Sequence, residues 1–229
     1  MSSASARIPD VLALPFRWGA AIRGRRFFHP AGVLARGTVE RVAPADCGLP
    51  IPSGEVIARV SKAVGTPGPL PDFIGLAIRI PPQQESTTPW DILLVSAGSG
   101  AIMRAVALRP VTSWTGQTLT NLMPLRYREG PWWVRARIVT GIDGSGLSLD
   151  DISKQIRDGG IDVALDQARG TSDFTALARL RLTAVTDTAD VSFDPVINTA
   201  PGLTLYPGWL AELRGRAYQR SREGRSQEA

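Results

Sequence analysis

The stretch RRFFHPAGVLARG, Arg25 to Gly37, holds His29, the only histidine among 229 residues. Imidazole is the one side chain whose ordinary titration falls near neutral pH, so a histidine set among apolar groups is a candidate acid–base catalyst. Phe27 and Phe28 precede it, Pro30 follows, and Arg26 stands three residues upstream. The same surroundings suit a histidine that merely completes a core, and residue types alone leave both readings open. Near the other end, WLAELRGRAYQRSREG reads as a helix. On it Arg214 and Tyr218 are four apart and Arg225 follows seven later, so all three can share one face. Keeping a tyrosine as phenolate at neutral pH costs about 4 kcal/mol. An adjacent guanidinium favours the anion.

Lys+Arg number 26 against 21 Asp+Glu, a net charge of +5, and only Lys62 and Lys154 are lysines. Two explanations stand side by side. One is the base composition of a GC-rich genome, and the other is a use for planar, permanently charged groups that hold an anion. Cys47 is alone, which excludes an internal disulfide and a cysteine metal cluster. The chain begins without a basic start followed by an apolar run, and no stretch of about 18 apolar residues occurs. It therefore reads as soluble and cytoplasmic, without a membrane span.

Which elements would position these groups? The start, PDVLALPFRWGAAIRGRR, suggests a helix interrupted near Pro15. Four strand-like runs follow, Val33 to Val42, Val56 to Val64, Phe73 to Pro81 and Trp90 to Ala97, separated by Gly/Pro-rich turns as in an antiparallel meander or barrel. Residues Ala101 to Met123 look mixed and partly helical. Trp132 to Gly141 alternates apolar with charged residues and reads as a strand. SLDDISKQIRDG predicts a short helix from an N-cap at Ser148 to Gly159. Phe174 to Val185 reads as a strand, and FDPVINTAPGLTLYPG is rich in turn residues. No repeat or linker divides the chain, so one domain over residues 1–229 is expected.

Reading on from His29, Gly32 and Gly37 fall at +3 and +8, with Arg26 at −3. This resembles the distal-side motif of the heme catalases, in which an arginine, the essential histidine and two glycines lead into the first barrel strand. The resemblance continues in order. ARVS, Ala58 to Ser61, is similar to the family's arginine-apolar-serine strand. DFIGLAIRI is similar to its Asp-x-x-Gly-x-Ala strand, PWDILLV to its Trp-Asp strand, and FDPVINTAPG to the segment before its proximal helix. RGRAY, Arg214 to Tyr218, followed by Arg225, is similar to the proximal helix itself. The resemblance implies an α+β fold, a catalase-like antiparallel β-barrel with flanking helices, and heme b between the barrel and the C-terminal helix. It also implies the absence of the family's wrapping and C-terminal helical parts.

On that resemblance, Tyr218 ligates the iron, Arg214 supports the phenolate, and Arg26, Arg59 and Arg225 meet the heme and its carboxylates. His29 is the distal acid–base group and Ser61 fixes its tautomer. The departure lies after the Trp-Asp strand, where catalases carry an asparagine. Here the region reads VSAGSG, Val95 to Gly100, with Ser96 the nearest polar residue. The resemblance therefore points to a small peroxidase-type enzyme acting on hydrogen peroxide or an organic hydroperoxide with a small reductant, rather than to an efficient dismutase. Nucleic acid is not an expected partner, and a homo-oligomer is left open. Two other classes stay in view. One is a catalase-fold protein that binds heme or another hydrophobic ligand without turnover, and the other is a basic module for anionic surfaces. Colour separates the first two from the third, and reaction with peroxide separates the first from the second.

Overall fold

Residues Val33, Ala35 and Val39 alternate with charged and small neighbours, and they point into one core with Val56, Ala58 and Val60 of the next strand. That period of two continues around the molecule and decides its architecture. The computed structural model describes residues 31–67, 70–83, 86–97, 108–144, 146–187 and 191–206. In chain order these form β1 (Ala31–Arg41), β2 (Gly54–Lys62), β3 (Ile74–Ile80), β4 (Trp90–Ser96), β5 (Thr118–Thr120), β6 (Leu125–Tyr127) and β7 (Gly130–Ile138). Then follow α1 (Leu149–Asp158), β8 (Ile161–Arg169), β9 (Thr175–Val185) and β10 (Leu203–Leu205).

All pairings are antiparallel, in the order β1–β2–β3–β4–β5–β7–β8–β9, and β9 returns to β1. Eight strands thus close a barrel. β6 lies on the same edge of β7 as β5, and β10 adds outside β6. Between β5 and β6 the chain leaves the ladder, and the buried Asn121 keeps it tied. Its backbone N–H donates to the Val134 carbonyl, and its Oδ1 accepts from the Val134 N–H at 2.8 Å.

Eight strands leave an interior just wide enough to fill with side chains. Here it is filled by aliphatic residues, among them Ala35, Ala58, Ile78 and Val134, none above 1% exposed. The two ends are closed differently. α1 joins β7 to β8 and packs Ile152 and Ile156 against the core. Ser148 caps its N-terminus by accepting from the Asp151 N–H, and Gly159 ends it. At the opposite end the β1–β2 loop inserts Leu49 and Ile51. Arg41 holds this loop by donating to the carbonyls of Pro44, Cys47, Leu49 and Ile51.

The strands expected from the sequence are present, and α1 runs between the expected caps. β8 is an addition: Ile161, Val163 and Leu165 face the core and alternate with Asp162, Ala164 and Asp166, an alternation the sequence reading passes over. The helical content expected within Ala101 to Met123 is a correction for the residues described there, 108–123. They make isolated bridges from Leu108 to Ala97 and from Val111 to Asp72, and then β5, because Asp72 and Ala97 offer backbone partners to an extended chain. The two terminal helices expected from the sequence lie outside the described residues. No described helix is long and apolar enough to cross a membrane.

Closure of the barrel depends on Gly37. Opposite Arg36 and Gly37 the register on β9 jumps from Ala184 to Leu182, so Thr183 is the extra residue of a bulge that bends β9. A Cβ built on Gly37 would overlap the backbone carbonyl of Arg181. Backbone cannot rotate out of the way as a side chain can. Gly37→Ala is therefore expected to lose about 1–3 kcal/mol of stability, the usual cost of overpacking. Urea denaturation checks this, and an unchanged midpoint would show that β9 yields freely.

Candidate functional site

Because the interior is full, groups available for chemistry must lie on the outer face of the barrel wall. Arg59 and Ser61 both do, since they alternate on β2 with Ala58 and Val60, which face inward. Strand register places Ser61 in a transverse row. Gly32 pairs with Ser61, Ser61 with Gly75, Gly75 with Val95, and Val95 with Thr120. The adjacent row is Leu34, Arg59, Ala77 and Leu93.

Two glycines flank Ser61, so the wall there is a flat strip with one hydroxyl in it. A Cβ at Gly75 would stand 3.0 Å from the Ser61 Oγ, and one at Gly32 would stand 3.1 Å from the Ser61 Cβ and the Arg59 Cγ. Any larger side chain at either position would occupy the strip. Ser61 itself is only 2% exposed.

Beside the strip, Leu34 and Ala77 pack with Phe193 in a small apolar cluster separate from the barrel interior. Two guanidinium groups lie over the Phe193 ring, Arg59 at 5.7 Å from its centre and Arg79 at 5.2 Å. Both are within cation–π range. Phe193 is thereby the described residue that links Arg59 to the segment leading toward the C-terminus.

That segment is clasped to the barrel by Asp91, which is buried. Its Oδ1 accepts from the Arg79 Nε at 2.7 Å. Its Oδ2 accepts from an Arg79 terminal nitrogen at 2.6 Å, the Asp194 N–H at 2.7 Å and the Asn198 side-chain amide at 2.7 Å. Arg79 also donates to the Ser192 carbonyl, and Asp194 accepts from the N–H groups of Val196 and Ile197. The Asp91 hydrogen bonds hold Arg79 more firmly protonated than a free arginine. Coulomb attraction to Asp91 and Asp194 adds to them, and burial opposes. A buried charge needs such complete pairing, or its desolvation goes uncompensated.

The turn after β2, which ends the strand carrying Ser61, is fixed by Asp72. Its two oxygens accept from the backbone N–H groups of Val64, Gly65, Thr66 and Phe73, at 2.7–3.0 Å. Burial alone would raise its pKa, yet the four backbone donors outweigh burial and hold the carboxyl below its ordinary value.

Of the residues expected to act, Arg59 and Ser61 are thus on one outer face, in adjacent rows. Arg26, His29, Arg214, Tyr218 and Arg225 lie outside the described residues. Ser96, the nearest polar residue to the missing asparagine, is a correction. It falls on the inward parity of β4, and its hydroxyl is spent, donating to the Arg109 carbonyl at 2.7 Å and accepting from the Ile74 N–H at 3.2 Å. Val95 is the residue that reaches the strip. Sequence reasoning also missed the Arg79–Asp91 clasp. Its signal was present in an arginine and an aspartate at facing ends of two adjacent strands, but pairing register is needed to see it. No family model matches the chain, and no curated protein matches it by sequence.

The Asp72 turn gives a pH-dependent expectation. A carboxyl held below 3.8 contributes stability that is present above that pH and is lost as pH falls through its folded value. In Asp72→Asn either amide orientation would set an NH₂ against backbone N–H donors. The variant should be less stable than the parent at neutral pH, with the gap closing as pH drops below 3.8. Thermal midpoints across an acid series measure this, and a gap independent of pH would refute it.

Proposed function

We propose that the chain is a heme-dependent hydroperoxidase of catalase type that favours peroxidase chemistry over dismutation. The observation that carries this reading is the flat Gly32–Ser61–Gly75 strip on the outer wall with Arg59 at its side. A planar macrocycle with carboxylate substituents suits a strip without protruding side chains and a guanidinium beside it. The order of short motifs along the sequence supports the same assignment.

In this reading Arg59, Arg26 and Arg225 bind the carboxylates, bidentately where geometry allows. Tyr218 would hold the iron, as a tyrosine does in catalases, and Arg214 would favour its phenolate form. When bound, heme would supply the ferric iron that peroxide reduction needs. His29 accepts the proton from the inner peroxide oxygen and returns it to the outer one, so that water or an alcohol leaves. The overall balance is ROOH + AH₂ → ROH + H₂O + A, with AH₂ an organic reductant. Ser61 orients the imidazole. Val95 presents a hydrocarbon surface where dismutation calls for a polar group to orient a second hydrogen peroxide, and this favours organic hydroperoxides.

Reconstitution with hemin is the test. The full chain should acquire a Soret band that Tyr218→Phe abolishes or strongly shifts, and a protein that remains colourless would end the proposal. His29→Ala should retain heme while reacting with peroxide at least ~10²-fold more slowly. An unaltered rate would make His29 structural and the protein a heme binder without turnover. At equal heme, oxidation of a dye substrate should exceed oxygen evolution, and vigorous oxygen evolution without dye oxidation would instead identify a small catalase.

A further inference from the structure

The strand that carries Ser61 also carries Arg59, and the Arg59 guanidinium lies over a ring that the fold holds still. Phe193 is 7% exposed, and its ring centre is 5.7 Å from the Arg59 guanidinium carbon. Both chain neighbours of Phe193 are tied to the barrel. The Ser192 carbonyl accepts from Arg79 at 2.8 Å, and the Asp194 N–H donates to Asp91 at 2.7 Å. The ring is thus fixed through the backbone on either side. It rests on Leu34 of β1 and Ala77 of β3, the neighbours of Arg59 in its own row.

Arg59 is held at a second point. A Cβ built on Gly32 would stand 3.1 Å from the Arg59 Cγ, so the arginine stem runs close along the strip while its head ends at the ring. A long arginine stem samples many rotamers, and ordering it on binding subtracts from affinity. A fixed ring offers its electron-rich face to the cation and favours one arrangement before any ligand arrives. A leucine in its place keeps an apolar contact with Leu34 and Ala77 but has no such face. Arg79, the other guanidinium over the ring at 5.2 Å, is committed to Asp91 by two hydrogen bonds. Arg79 therefore belongs to the support of the ring, and Arg59 is the cation beside the strip.

We propose that Phe193 is a positioning residue whose ring holds the Arg59 guanidinium ready beside the Gly32–Ser61–Gly75 strip for a carboxylate of the macrocycle. Phe193 acts through Arg59, and the ligand feature it serves is a negative charge at the macrocycle edge. This rests on the hydroperoxidase reading of the same face.

The experiment titrates the full chain, as wild type and as Phe193→Leu, with hemin and with hemin dimethyl ester, whose carboxylates are esterified and uncharged. Tryptophan quenching and the Soret band report binding. Phe193→Leu should weaken hemin binding roughly 3- to 10-fold, the effect of having to order one long side chain, and leave the ester unchanged. In an Arg59→Met background the same substitution should change hemin affinity no further. Should the leucine variant fold poorly by circular dichroism, Phe193→Met, an adaptable side chain also without a ring, takes its place. Equal losses for hemin and ester, an undiminished loss in the Arg59→Met background, or no loss at all would show that the ring only packs. Any of these would overturn the assignment while the hydroperoxidase reading stands. A wild type that binds neither compound would end the hydroperoxidase reading first and this assignment with it, which separates the two failures.

Discussion

When an eight-stranded sheet closes on itself, the width of its interior is set by strand number and tilt, and eight strands give one narrow enough for their own side chains to fill. That constraint organises the rest of this protein. The aliphatic residues of β1–β5 and β7–β9 pack inward, α1 closes one end, and the Arg41-bound loop closes the other. Polar groups with chemical potential are pushed to the outer face, where strand pairing fixes their spacing at one strand separation per step.

Closure also explains where the backbone is irregular. A twisted sheet does not meet its own edge without local bends, and here β9 carries two bulges, at Thr183 opposite Arg36/Gly37 and at Leu177 opposite Leu165/Asp166. At β5 and β6 the chain departs from β7 and returns, and the side chain of Asn121 substitutes for the lost ladder bond.

The segment that ends in β10 lays Phe193 on the outer face beside Arg59 of β2 and Arg79 of β3. Asp91 accepts two hydrogen bonds from Arg79 of β3 and two from that segment, the Asp194 N–H and the Asn198 amide. The result is a ring, Phe193, held against both Arg59 and Arg79. An ion pair of this kind adds little net stability over a hydrophobic replacement. Its consequence here is positional, because it sets which face of Phe193 meets which arginine.

Much of the architecture was legible in local sequence. Alternation marked β1–β4, β7 and β9, and the Ser148 and Gly159 caps marked α1, because strand and helix periods and capping bonds involve residues close in the chain. The pairing of an arginine with a serine two residues later placed Arg59 and Ser61 on one side of β2. Period two states that alternate residues face opposite ways, but it does not say which side is the interior. Only closure decided that Ser61 and Val95 face outward while Ser96 faces in, that Thr120 is the neighbour of Val95, and that Asp91 meets Arg79 and Asn198. Those relations join residues up to 107 positions apart, and they exist only once strands distant in sequence have found their register.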